Sequence, residues 1–160
     1  MKKVTLVVGA STNPNRYSNI AIRRLTDKNE AVVALGLRKG KVFDVVIDDE
    51  KKDYKNIDTV TLYLNPKRQE AYYKYIIGLK PRRVIFNPGT ENDEFIRLLV
   101  ENNIEAEVAC TLVLLSTNQY WKINWVGKKL FPFKYFIVLI NLFCLLKTNS
   151  IYLYAKLIYW

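Results

Sequence analysis

The fold of this chain is decided by the stretch VTLVVGASTN, residues 4–13. A run of apolar and β-branched residues stops abruptly at Gly9, and a helical pattern follows within a few residues. This order is typical of the first strand and first helix of an α/β domain. Gly9 lets the backbone turn tightly and approach a ligand, and the free N–H groups at the start of the next helix can hold an anion. The stretch therefore predicts a ligand site at the tip of the first strand.

The alternation of strand and helix continues to about residue 120. The apolar runs predict strands at 4–8, 31–35, 59–63, 83–86 and 105–109, with a short extra strand at 42–47. The helical patterns lie at 18–28 with Ser18 as N-cap, at 67–79 with Tyr73 facing outward, from residue 91, and at 110–115 as a short last helix or an apolar closing segment. Helices of this length between strands predict a single α/β domain, an open, doubly wound parallel sheet covered by helices on both faces.

Four unusual loops fall at the predicted carboxyl ends of the strands, where open parallel sheets bind their ligands. They are Gly9–Asn13, Leu37–Lys39, Asn65-Pro66 and Asn87–Thr90. The loops also have ordinary interpretations, such as a plain turn at Gly9, a solvated basic loop, or a turn that starts a helix. Their shared location favours a common ligand site over these separate roles.

The residue types that are missing limit the chemistry of this chain. It has no histidine, which removes the commonest general base and metal ligand. Its two cysteines, Cys110 and Cys144, match no metal-ligand spacing, so no metal site is expected. Cys110 is expected to be a buried, inert thiol, and no residue is assigned a catalytic role. Because no secretory signal precedes the first strand, a reduced cytoplasmic setting is expected.

The net charge of +10 is unevenly distributed along the 160 residues. All 15 Asp and Glu residues lie before residue 121, together with 19 of the 25 Lys and Arg residues. Residues 1–120 therefore carry a net charge of +4. This mildly basic balance suits an anionic small ligand. Without a basic stripe interleaved with aromatic residues, it gives no support to nucleic-acid binding.

The loops do not match the best-known nucleotide-binding motifs. A dinucleotide fingerprint needs G-x-G-x-x-G and an acidic residue after the second strand. Here Gly9 stands alone, and Arg38 and Lys39 occupy the place of the acid. These departures weaken the case for NAD, whereas the two basic side chains suit a ribose that carries a phosphate. No G-x-x-x-x-G-K-[ST] sequence is present, which excludes a P-loop nucleoside triphosphatase.

Four segments within residues 1–120 carry a family resemblance. They are GASTNPNRYS (9–18), LNP (64–66), NPGTEN (87–92) and ACTLVLLST (109–117). In this order they resemble the small, stand-alone CoA-binding domain proteins, relatives of the nucleotide-binding domain of succinyl-CoA ligase alpha chains. The resemblance implies a Rossmann-like fold that binds coenzyme A, or an acyl-CoA, through its ADP part. The stand-alone members have no agreed reaction, and the phosphohistidine of the ligase has no counterpart in a chain without histidine.

The resemblance also implies a set of ligand-binding residues on the four loops. The first loop and the start of the first helix would take the pyrophosphate. Arg38 and Lys39 would face the ribose phosphate or the adenine, and the other two loops would line the cleft. The cofactor-binding residues expected in this way are Gly9, Ala10, Ser11, Thr12, Asn13, Arg16, Tyr17, Ser18, Arg38, Lys39, Asn65, Pro66, Asn87, Pro88, Gly89 and Thr90.

The composition changes sharply after Tyr120. Residues 121–160 contain six lysines and no acid, and their longest apolar run, 136–146, is shorter than the ~20 residues of a membrane-spanning helix. A marginal membrane anchor and an amphipathic surface helix are two interpretations of this tail. An accidental extension of the reading frame is the favoured one. We therefore expect a CoA-binding domain at 1–120 and a hydrophobic, basic tail at 121–160.

Three functions compete on this sequence. The first is a cytoplasmic CoA-binding module that is non-catalytic or regulatory. The second is an enzyme, either a CoA-dependent subunit or an NAD(P)-linked oxidoreductase, and the lack of a second domain, a histidine and a glycine fingerprint counts against it. The third is a membrane-tethered form of the first. The sequence favours the first function, with CoA or an acyl-CoA as the small-molecule partner, and it does not identify the acyl group or a protein partner.

Overall fold

The apolar run near the start of the chain becomes the central strand of the sheet. In the computed structural model, which describes residues 3–121, Leu6, Val7 and Val8 of strand β1 (Val4–Ala10) are fully inaccessible to solvent. The other strands are β2 (Ala31–Gly36), β3 (Gly40–Val42), β4 (Val45–Asp48), β5 (Ile57–Leu62), β6 (Arg83–Phe86) and β7 (Glu105–Val108). Their order in the sheet is β3-β4-β2-β1-β5-β6-β7, and only β3 runs antiparallel to its neighbour. The strand order reverses beside β1, so the predicted open, mostly parallel, Rossmann-like sheet is confirmed.

The helices cover both faces of the sheet. They are α1 (Tyr17–Asp27), α2 (Pro66–Gln69), α3 (Tyr73–Gly78), α4 (Asp93–Glu101) and α5 (Thr111–Ser116). Since successive strand residues point to opposite faces, the core has two layers. Leu6 packs in the layer that contains Phe95 of α4, and Val7 packs in the layer that contains Ile22 of α1 and Leu115 of α5. This arrangement confirms the single α/β domain for the part of the chain that the structure describes.

The predicted extra strand at 42–47 is wrong in form, because this region is a hairpin. β3 and β4 pair in antiparallel register, with Lys41 opposite Val46 and Val42 opposite Val45. Phe43 in the turn has a φ of 50°, a left-handed conformation that reverses the chain within two residues. The apolar and β-branched residues of 42–47 predict a strand, but they do not reveal the turn.

The predicted helix at 67–79 is also wrong in part, since it breaks into α2, a 3-10 turn (Glu70–Tyr72) and α3. The break buries Gln69 completely and leaves Ala71 exposed. It also turns Tyr73 inward, where its ring stacks on Phe95 with the ring centroids 4.3 Å apart. The expected outward orientation of Tyr73 is therefore wrong, and the break decides which of these side chains face the neighbouring loops.

The interpretations of the tail concern residues 121–160, and all of these except Trp121 lie outside the described residues. Between residues 3 and 121, none of the helices has the length and apolar character needed to cross a membrane.

Candidate functional site

One cleft lies at the carboxyl ends of the parallel strands. It has a volume of about 620 Å³ and is formed by the loops that follow β1, β2, β5 and β6. The residues that line it are Gly9, Ala10, Ser11, Thr12, Asn13, Arg16, Tyr17, Ser18, Leu37, Arg38, Tyr63, Leu64, Asn65, Arg68, Pro88, Gly89 and Thr90. The four loops that the sequence singles out thus meet in one place, as expected where the strand order reverses.

Most of the residues expected to bind a cofactor line this cleft, but three do not. The ammonium group of Lys39 lies 3.7 Å from a carboxylate oxygen of Asp49. Pro66 is the first residue of α2, a position that its fixed φ suits. Asn87 is 3% exposed and lies beneath the loops, where its Nδ2 donates to the Thr61 hydroxyl (2.7 Å). These three residues are not among those that line the cleft in this structure.

Gly9 brings the first loop against the backbone that follows β5. Its φ is +87°, a conformation that strains any other residue. A Cβ atom at this position would lie 2.8 Å from the carbonyl oxygen of Tyr63. The N–H of Tyr63 in turn donates to the carbonyl of Val8 over 2.8 Å. Packing and backbone conformation both require glycine here, and together they place two of the cleft loops side by side.

The start of α1 lies at the edge of the cleft and is not neutralised by an acid of its own first turn. The prediction that Ser18 is the N-cap is wrong, because the helix begins at Tyr17. Ser18 is buried in the first turn of the helix. Arg16 occupies the N-cap position, no side chain from residues 3–121 caps the helix, and the first turn contains no acidic residue. The free N–H groups and positive end of α1 can therefore stabilise an anion from outside the chain.

Three arginines from three different elements line the cleft. Arg16 precedes α1, Arg38 follows β2, and Arg68 lies in α2. None of the three forms an ion pair with another residue between 3 and 121, and no Asp or Glu is among the residues that line the cleft. Guanidinium groups match the geometry of phosphate oxygens. The cleft therefore provides positive charge for a ligand that carries several phosphates.

Two buried amides that sequence analysis missed hold the cleft loops in place. Gln69 donates from Nε2 to the carbonyls of Leu64 (2.8 Å) and Thr90 (2.7 Å), and so joins the loop after β5 to the loop after β6. Asn19 of α1 donates from Nδ2 to the carbonyl of Ser11 (2.9 Å) in the first loop. The available signal was a polar residue at an inward helical position, because most buried polar side chains have a hydrogen-bond partner.

Tyr63 provides an uncharged wall of the cleft. Its hydroxyl oxygen is buried and has no hydrogen-bond partner within residues 3–121. Burial raises the pKa of Tyr63 to about 12, although the nearby hydroxyl groups of Thr61 and Thr111 act in the opposite direction. The phenol is therefore protonated at neutral pH. Cys110 is partly buried at the N-cap of α5 and does not line the cleft.

An open parallel sheet with a cleft at its switch point defines this protein as a Rossmann-like α/β protein. The family model described as "CoA binding domain" matches residues 3–116, and the chain belongs to this family. Membership in the family supports CoA binding in general.

Solved structures with the same fold accompany this family match. An uncharacterized protein of known crystal structure is 45% identical, with a TM-score of 0.72 over 74% of this chain and 98% of that chain. A hypothetical protein from Pyrococcus horikoshii OT3 is 25% identical, with a TM-score of 0.64 over 72% of this chain and 82% of its own. A Thermus thermophilus protein, cell-free ID.343, is 20% identical, with a TM-score of 0.67 over 74% of this chain and 90% of its own. At this identity the likeness shows the fold alone. No curated protein sequence matches the chain.

Proposed function

We propose that this protein binds coenzyme A, free or as an acyl-CoA, through its ADP part, and that it is a non-catalytic or regulatory CoA-binding protein. The observation that carries the proposal is the charge of the cleft. Three arginines that have no acidic partner among residues 3–121 line the cleft together with the uncapped start of α1, at the carboxyl ends of the strands. CoA carries a diphosphate and a 3′-phosphate, and its nucleotide half would satisfy these groups together.

The loops suggest how the ligand would lie. The diphosphate would contact the first loop (Gly9–Asn13), the start of α1 and Arg16, with Arg68 on the opposite wall. Arg38, after β2, would face the ribose phosphate or the adenine. The pantetheine arm would then extend past Leu64 towards Pro88–Thr90, since these loops follow β5 and β6 on the far side of β1.

We also propose that residues 1–120 form the binding domain, that residues 121–160 form a separate tail, and that the protein acts in the reducing cytoplasm. Tyr120 is 2% exposed, and its hydroxyl lies 3.0 Å from that of Thr5 in β1. Trp121 donates from Nε1 to a carboxylate oxygen of Glu30 over 2.6 Å. These contacts support a domain that ends close to Tyr120.

An NAD(P)-linked oxidoreductase is the second candidate, and the position of Arg38 favours it. A basic residue after the second strand suits the 2′-phosphate of NADP in dinucleotide-binding sheets. A CoA-dependent enzyme subunit shares the ligand of the first candidate. The two candidate ligands differ in where their third phosphate lies, so a binding experiment separates them.

Calorimetric titration of the full chain with CoA, dephospho-CoA, NAD, NADP and ATP tests the proposal. We expect CoA to bind, ADP to compete with it, and NAD to give no signal. Arg38→Met should weaken CoA roughly tenfold, the value of one charge-assisted hydrogen bond, and should change dephospho-CoA little. The matched control is Arg97→Met, at an exposed arginine of α4 outside the cleft. Binding of NADP without binding of CoA would contradict the proposal and favour the oxidoreductase.

A further inference from the structure

We propose that Asn19 is a positioning residue for the first loop, and that Arg23 and Phe43 hold Asn19 in the orientation that ligand binding needs. The inference rests on the proposed function, because the first loop is the expected diphosphate site. It assigns a role to three residues outside the lining of the cleft.

Asn19 fixes the direction of the Ser11 carbonyl. This oxygen accepts a hydrogen bond from Asn19 Nδ2 over 2.9 Å, and Asn19 is completely buried. The bond directs the carbonyl of a cleft-lining residue towards α1. A carbonyl oxygen that faced the cleft would repel an anion, whereas backbone N–H groups that face it attract one. Asn19 thus determines which polar groups of the loop a phosphate meets.

Arg23 fixes the orientation of the Asn19 amide. Its Oδ1 accepts a hydrogen bond from Arg23 Nε over 2.7 Å, one helical turn further along α1. If the amide were reversed, its NH₂ group would face the guanidinium and its oxygen would face the Ser11 carbonyl. Both contacts would be repulsive, since neither pair would contain a donor and an acceptor. Arg23 therefore selects the one orientation in which Asn19 can hold the loop.

Arg23 also contacts the β3–β4 hairpin, so the hairpin is linked to Asn19 through Arg23. The guanidinium of Arg23 lies over the ring of Phe43, 4.6 Å from its centroid. Phe43 forms the turn of the hairpin and is 47% exposed. The hairpin also meets the loop directly, because a Cβ atom on Gly40 would overlap the Thr12 side chain. The chain of contacts from Phe43 through Arg23 and Asn19 thus ends at the expected diphosphate site.

The test separates positioning from a purely structural role by the choice of ligands. ADP contains the diphosphate that the first loop would hold, and adenosine 3′-monophosphate lacks it. NMR-detected titration of the full chain resolves weak binding of both ligands, and thermal unfolding reports whether each variant folds. The variants are Asn19→Leu, which is neutral and similar in size, and Arg23→Met. Arg24→Met is the matched control, because it removes the same charge from the exposed side of the same helix.

We expect Asn19→Leu to weaken CoA and ADP about tenfold, as the loss of one to two hydrogen bonds predicts, with less than a twofold change for adenosine 3′-monophosphate. Arg23→Met should weaken the binding of CoA and ADP roughly threefold. Its melting temperature should equal that of Arg24→Met, and Arg24→Met should bind both ligands like the wild type. Arg23→Met carries the test alone if Asn19→Leu does not fold. Wild-type affinity in the folded variants, or equal losses for all three ligands, would overturn the inference. If the wild type bound neither CoA nor ADP, the proposed function would fail first, and the inference with it.

Discussion

The two ends of the parallel strands use arginine differently. At the amino ends, Arg82 contacts Asp58 (3.0 Å) and Glu105 (3.1 Å), and Arg83 contacts Glu107 (2.7 Å). At the carboxyl ends, the three arginines of the cleft have no acidic partner among residues 3–121. The arginines at the amino ends therefore connect neighbouring strands and stabilise the folded sheet. Those at the carboxyl ends leave their charge available to a ligand.

Two helices at the carboxyl edge repeat this contrast. α4 is capped by the side chain of Asn92, which accepts from the N–H of Phe95 over 3.1 Å, and its first turn contains Asp93 and Glu94. Within residues 3–121, α1 has no capping side chain, and its first turn contains no acid. A helix whose dipole is satisfied by its own residues has little to offer an anion. The comparison favours α1 over α4 as the start of the proposed binding site.

The largest effect should follow from a change at the amino ends. Arg83 is 2% exposed, donates to Glu107, to the Thr59 hydroxyl and to the carbonyl of Tyr120, and lies over the Tyr120 ring. Arg83→Met should lower the free energy of unfolding by about 3 kcal/mol, because it leaves a partly buried carboxylate without its partner. Urea denaturation measures this loss, and CoA affinity should stay within twofold of the wild type. A tenfold loss of CoA affinity in Arg83→Met would contradict the separate roles of the arginines at the two ends of the strands.

A second effect on stability should come from the turn of the cleft itself. Gly9→Ala should lower the free energy of unfolding by about 2 kcal/mol, because it adds a Cβ atom against the Tyr63 carbonyl in a left-handed conformation. The same substitution at Gly78 meets nothing within 4 Å and should be neutral or stabilise by up to about 0.5 kcal/mol. Chemical denaturation of the pair compares them. Equal stability of the two variants would contradict the packing role of Gly9.

Arg68→Met should produce the reverse of the Arg83 result. It should weaken CoA roughly tenfold, the effect of one charge-assisted hydrogen bond, while the free energy of unfolding changes by less than about 0.5 kcal/mol. Calorimetry and denaturation of the same sample give both values. If Arg68→Met cost stability and left affinity unchanged, this residue would belong with the arginines of the amino ends.

A smaller effect should follow when α1 is made to resemble α4. Tyr17→Glu places an acid in the first turn of α1, at a side chain that is 71% exposed. It should stabilise the free protein by about 0.5 kcal/mol through the helix dipole and weaken CoA about threefold through repulsion. Asp93→Asn in α4 should cost about as much stability and leave CoA binding unchanged. Thermal unfolding of both variants measures the stability, and titration with CoA measures the affinity. Equal effects of Tyr17→Glu and Asp93→Asn on CoA affinity would contradict the prediction.

The smallest expected effect is on acid sensitivity at the amino ends. Burial raises the pKa of Asp58, but hydrogen bonds from Arg82 and Thr59 outweigh burial and leave the pKa below its ordinary value. The stability that this carboxylate contributes is present above the ordinary pKa, about 4, and is lost as the pH falls through the lowered value. Asp58→Asn should therefore lose less stability than the wild type between neutral and acidic pH. Parallel denaturation curves across that range check the difference.

The strands β1, β2, β5, β6 and β7 and the position of the cleft could be predicted because they depend on local patterns and on parallel topology. The continuous apolar run of β1 requires a buried strand, and parallel strands bring their following loops to one edge. The roles of Gln69 and Asn19 could not be predicted, because each amide binds carbonyls that only the fold brings near. Gln69, for example, joins Leu64 to Thr90. The break in the predicted second helix could not be predicted for the same reason. It allows Gln69 to donate to the carbonyls of Leu64 and Thr90 and Tyr73 to stack on Phe95.

The most direct test of this account is to find which end of the strands CoA contacts. Titration of the ¹⁵N-labelled full chain with CoA, followed through the backbone amide signals, reports this for each residue. We predict that the signals of Gly9–Asn13, Ser18 and Gly89 shift, while those of Asp58 and Arg83 at the amino ends remain in place. Shifts confined to the amino ends, or no shifts with CoA at saturating concentration, would contradict the account.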